Sequence, residues 1–187
     1  IVDALCEAFA AGEGPSKLAV MRILASTGNQ KAFDLVLPLA LSGEGELKET
    51  AIKAVCDWPT AVALPTLLEW IKAPANDTAK MNALRGIVRL LIPGQETNEN
   101  LCGQYAALMA QAASANEKKL ILSGLANIGS VCALNMVVEQ VADEAVKAEA
   151  VAAAIAIAEK LGNSPQERDA LKSARELIPE LGRNRKK

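Results

Sequence analysis

Five stretches of the chain repeat one arrangement of apolar positions, each led by a lysine: Lys17, Lys48, Lys80, Lys118 and Lys147. Four positions after each lysine stands Met21, Ile52, Leu84, Leu122 or Val151, and three further on Leu24, Val55, Ile87, Leu125 or Ala154. Val20, Ala51, Ala83, Ile121 and Ala150 precede the first set; Ala25, Cys56, Val88, Ala126 and Ile155 follow the second. Apolar residues at i+3, i+4, i+7 and i+8 make one stripe of an α-helix. A second pattern interleaves with the first: Ala4-Leu5 with Ala8-Phe9, Ala32-Phe33 with Val36-Leu37, and Ala63-Leu64 with Leu67-Leu68. It continues as Gln104-Tyr105 with Leu108-Met109, then Ala133-Leu134 with Val137-Val138, and Ala170-Leu171 with Ala174 looks like a sixth copy. These are first helices, and the lysine-led stretches are second helices. A period of about thirty residues marks stacked two-helix repeats.

The predicted fold is therefore all-α, a right-handed α-α superhelix of five helix pairs plus a final helix. The pairs fall near 1–28, 29–60, 61–94, 95–130 and 131–164, with the last helix at 165–181, in one repeat domain over 1–182. No segment alternates with period two for long enough to argue a strand. Ser114-Ala-Asn-Glu117 has the spacing of a capping box, and Asp77 and Asp143 are N-cap candidates. Pro15, Pro65 and Pro165 fit first-turn positions, whereas Pro38 falls inside a predicted helix and should kink it. The longest connection, Ile92–Asn100 (IPGQETNEN), stretches the third repeat step. Gly12-Glu-Gly14 and Gly43-Glu-Gly45 read as helix–helix turns rather than phosphate loops, because neither follows a strand or supplies a P-loop lysine.

Composition narrows what such a stack can do. Hydrophobic residues make up 51% and aromatics 3%, so small aliphatic side chains must build a core of closely approaching helices. The net charge of −2 gives no global field for nucleic acid or an anionic membrane. The one dense basic run, Arg183–Lys187 (RNRKK), reads as a solvated tail at 183–187. No apolar run approaches the roughly 18 residues that a membrane span needs. The chain starts at Ile1 inside a helical pattern, which reads as a piece of a longer polypeptide.

With no histidine, Ser/His and Cys/His nucleophile pairs and the usual zinc sets are unavailable, so no enzyme, cofactor or metal site is expected. Cys6, Cys56, Cys102 and Cys132 are expected as buried thiols, with a disulfide or metal site as the alternative. Binding is left to exposed faces. Opposite the core stripe the second helices carry Arg22/Ser26, Lys53/Asp57, Arg85/Arg89, Ser123/Asn127 and Ala152/Ala156. The first three form a short basic row, Arg22, Lys53, Arg85 and Arg89, which could hold an acidic peptide or phosphate or could be solvated surface. Gly86 beside it suggests close packing by a neighbour. Trp58 and Trp70 either pack over junctions between repeats or, exposed together, form an apolar anchor for a partner.

The two-helix unit resembles the HEAT-like repeat family, including its short variant named after phycobilisome lyases. This resemblance implies a protein-interaction or scaffolding module that binds a protein segment or neighbouring domain through a concave face. HEAT-like enzymes that hold iron use His-Glu pairs, which this chain lacks. HEAT-like DNA glycosylases use a basic groove with tryptophans and an aspartate. Arg85, Arg89 and Trp58 are similar to part of that set, so a nucleic-acid-binding solenoid stands as an alternative, with the negative net charge against it. The stretches Ala83–Leu91 (ALRGIVRLL) and Glu117–Leu125 (EKKLILSGL) look like HEAT regions that accompany bacterial 3-keto-disaccharide hydrolase-type domains. That likeness implies an accessory module of a larger secreted or envelope protein concerned with carbohydrate.

Overall fold

A computed structural model describes residues 1–74 and 76–182; the basic run 183–187 lies outside the described residues. Among the described residues there are eleven α-helices and no strand. The chain divides into two compact units, Ile1–Leu90 and Leu91–Lys187. The division falls just ahead of the long polar connection singled out above.

The first unit holds three helix pairs: α1 Val2–Ala11 with α2 Gly14–Ser26, α3 Gln30–Ser42 with α4 Gly45–Cys56, and α5 Leu64–Lys72 with α6 Asp77–Leu90. Second helices pack side by side, α2 on α4 and α4 on α6, while α1 lies against α3. The Gly-Glu-Gly segments are turns within pairs, as expected: Gly14 and Gly45 open α2 and α4 with φ of +51° and +55°, which a β-carbon would strain. α3 runs through Pro38, whose ring faces outward. The core centres on Phe9, Leu24, Phe33, Val55, Trp58 and Ile87. Trp58 has no exposed surface, and its indole stands edge-on to Phe33 with ring centroids 5.1 Å apart.

The second unit holds α7 Asn98–Ala110 with α8 Ala115–Leu125, then α9 Val131–Glu139 with α10 Lys147–Lys160, and last α11 Pro165–Leu177. α7, α9 and α11 form one row, and α8 packs on α10. Its core includes Tyr105, Leu122, Leu125, Leu134 and Ile157. Lys118 pairs with Asp143 at 2.7 Å and Lys119 with Glu149 at 2.8 Å, joining α8 to the approach and first turn of α10. In both units the position seven beyond the leading lysine is wholly buried in every copy: Leu24, Val55, Ile87, Leu125 and Ala154 are each 0% exposed.

Several local expectations change. Asn76, not Asp77, caps α6, its side-chain oxygen accepting from the Ala79 N–H at 2.8 Å; Asp77 is the first residue of the helix itself. Asp143 accepts from the Ala145 N–H, in the turn ahead of α10, so it steadies the approach rather than the helix. Ser114 accepts from the Glu117 N–H as expected, while the Glu117 carboxylate accepts from Ala113. A full reciprocal capping box stands at Ser164–Glu167.

The largest change concerns the cysteines. Cys6 and Cys56 are buried thiols, but Cys102 on α7 and Cys132 on α9 are joined as a disulfide with Cα atoms 6.2 Å apart. Their separation of 30 residues is close to the repeat period, so equivalent regions of successive first helices bring them together. In the chain-entropy account, a loop of this size contributes roughly 3–4 kcal/mol. Proteolysis without reductant should therefore leave the Cys102 and Cys132 peptides linked. Cys56, whose thiol burial pushes up to about 11, should react with a thiol reagent only after unfolding. Separate Cys102 and Cys132 peptides from protein purified without reductant would remove the bridge.

Tyr105, the single tyrosine, is 1% exposed, and burial raises its hydroxyl to about 12. The folded state then holds this proton more tightly than the unfolded state, where the value is near 10. Stability from this group is complete below pH ~10 and lost as pH rises towards ~12. Absorbance of tyrosinate should stay flat through pH ~10 in the folded protein and rise together with unfolding; a free step near pH 10 would contradict the burial.

Candidate functional site

The exposed faces of α2, α4 and α6 enclose two clefts in the first unit. One, between α2 and α4, has a volume of about 740 Å³. Its floor is made by Ala25 and Ala54, small side chains that leave depth where larger ones would fill the seam between the helices. Arg22 and Ser26 line it from α2; Glu46, Glu49 and Lys53 line it from α4, and Asp57 from the position that caps its C-terminus. These α4 residues lie on one face over nearly its whole length, so the cleft is a groove parallel to the helix axis. A smaller hollow of about 220 Å³ shares Glu46 and carries the seam on towards Pro15 and Leu18 at the start of α2. The second cleft, about 770 Å³, lies between α4 and α6 and shares Glu49, Lys53 and Asp57 with the first, adding Asn82 and Arg85.

The structure thus brings three of the six predicted site residues to these clefts, Arg22, Lys53 and Arg85, all exposed. It also changes the character of the row. Glu46, Glu49 and Asp57 line the same groove, so the surface expected to be basic is mixed in charge. Of these three acidic residues, only Asp57 stands among the positions read as opposite the core stripe. The signal that could have placed them is their helical spacing with Lys53: Glu46, Glu49, Lys53 and Asp57 are three or four apart.

Arg89 has a different task. Its Nη2 donates to the carbonyl oxygens of Cys56 at 3.2 Å and Trp58 at 2.8 Å, where α4 ends. A cation donating to the last carbonyls of a helix satisfies unpaired acceptors and complements the helix dipole. Gly86 supports the same junction: a β-carbon there would lie 2.5 Å from the Cys56 carbonyl oxygen and 2.8 Å from Leu67. The two tryptophans are not exposed together. Trp58 is wholly buried against Phe33, which takes it out of reach of a partner, and Trp70 is half-buried on α5 and lines neither cleft.

The groove charges are uncommitted. Among the described residues the side chains of Arg22, Glu46, Glu49, Lys53 and Asp57 make no hydrogen bond or ion pair, although Glu49 and Lys53 are one helical turn apart. Elsewhere opposite charges meet: Lys118–Asp143, Lys119–Glu149, Lys147–Glu144, and Lys31 with Asp3. On the corresponding face of the second unit, Ser123 donates to the Leu120 carbonyl and Asn127 to that of Ser123, so those polar groups are satisfied locally.

The roles of the two arginines separate by measurement. Arg89→Ala should lower stability by about 1 kcal/mol, and Arg85→Ala, which loses only a contact to Asn82, should change it by less than about 0.5 kcal/mol. Gly86→Ala should destabilise by roughly 1–3 kcal/mol even though alanine is the better helix former by about 1 kcal/mol. Urea unfolding reads all three; a stabilised Gly86→Ala variant would show that the junction has room.

No protein-family model matches this chain, and comparison with curated proteins and with solved structures likewise finds no match.

Proposed function

We propose that this chain is a non-catalytic interaction module that takes a segment of another protein, or of a neighbouring domain, in the groove along α2 and α4. The observation that carries this reading is the set of five uncommitted charged side chains lining one groove with an alanine floor. Side chains held on a rigid helix stack, unpaired and exposed, can make charge-assisted hydrogen bonds to a ligand without first breaking internal ones. The resemblance to HEAT-like repeats agrees with this role. The mixed charge argues against nucleic acid, since Glu46, Glu49 and Asp57 would face the phosphates.

The Cys102–Cys132 bridge favours a setting outside the reducing cytosol, as a secreted or envelope module would require. Among the described residues no helix is long and apolar enough to cross a membrane.

Selection of short random peptides displayed on phage, with the full chain immobilised, tests the groove. Enriched peptides should lose binding to Ser26→Trp, which obstructs the groove from an exposed position, while its urea midpoint stays unchanged. No enrichment, or peptides indifferent to Ser26→Trp, would reject the reading.

A further inference from the structure

The groove's charges have an order along α4, and that order specifies a ligand. Glu49, Lys53 and Asp57 are successive i, i+4 positions, about 6 Å apart at a rise of 1.5 Å per residue. All three line the α2–α4 groove, and all three are exposed. An extended chain places alternate side chains on one face about 6.6 Å apart. A segment lying along the groove therefore keeps step with this row over three positions, within the reach of long side chains. Arg22 holds the same repeat position on α2 as Lys53 holds on α4, so the centre of the row presents two cations from adjacent helices.

Resting on the peptide-groove reading above, we propose that the segment bound is an extended one carrying basic, any, acidic, any, basic residues in that order. Its two cations meet Glu49 and Asp57, and its central carboxylate is held between Arg22 and Lys53. The pattern is palindromic in charge, so it fits in either chain direction. An acidic peptide or free phosphate, the ligand suggested by a purely basic row, is disfavoured here. It would satisfy Arg22 and Lys53 but place negative charge beside Glu46, Glu49 and Asp57. Each exposed pair is weak, so the effect lies in the contrast between complementary and opposed charges.

Two synthetic peptides with identical capped glycine–serine ends test this, one centred on Lys-Ala-Glu-Ala-Lys and one on Glu-Ala-Lys-Ala-Glu. Binding is read on the isotope-labelled full chain from amide shifts of α2 and α4. The first peptide should bind about tenfold more tightly at low salt, with the preference fading as salt rises. The triple variant Glu49→Lys, Lys53→Glu, Asp57→Lys, all at exposed positions, should invert the preference. Equal binding of both peptides, blocked alike by Ser26→Trp, would overturn the charge order and leave the groove reading standing. Failure of both to shift α2 and α4 would also overturn it, and the phage selection then decides the groove reading separately. A polyglutamate peptide binding more tightly than either would overturn it in favour of the basic row.

Discussion

In the first unit, stacking one helix pair on the next depends on how closely α6 can lie against the end of α4. At Gly86 there is no space for a methyl group: the Cys56 carbonyl oxygen would stand 2.5 Å from it. That approach puts Arg89 within hydrogen-bond distance of the Cys56 carbonyl that ends α4 and the Trp58 carbonyl just beyond it, so a steric allowance and an electrostatic cap act on the same junction. Trp58 lies directly beyond, sealed in the core against Phe33, and its own carbonyl is one of the two that Arg89 holds. α4 is also the helix that both clefts share.

Much of this architecture was legible from apolar spacing alone. The five lysine-led stretches became the second helices, and the residue seven positions on is buried in every copy. Helix ends were less legible. Capping depends on which polar side chain reaches a backbone N–H, so neighbouring candidates such as Asn76 and Asp77 differ by a rotation of the entering chain that periodicity does not report. The disulfide was hidden for a related reason. Cys102 and Cys132 are separated by one period, but only packing of first helices side by side turns that separation into proximity.

The site was half legible. Of the positions read opposite the core stripe all but Ala156, which is half-buried, are exposed, as helix geometry requires. The row read from the sequence held Asp57 beside Lys53 but not Glu49 and Glu46, which line the same groove one and two turns earlier on α4. Glu49 and Asp57 project into the same groove as Lys53, while Arg89 bends back to the α4 terminus. Spacing gives the face of a side chain; what it donates to depends on the neighbour that packing supplies.

The alanine floor of the α2–α4 groove has one more consequence. Ala25 and Ala54 belong to the packed seam, but the residues that give the groove its chemical character stand above them and take no part in holding the helices together. The packing of the seam and the charge of the groove are therefore written on separate sets of positions. A charge exchanged at Arg22, Glu49, Lys53 or Asp57 alters the surface of the groove while the seam beneath it keeps its packing, so this surface can change one substitution at a time without an unfolded intermediate.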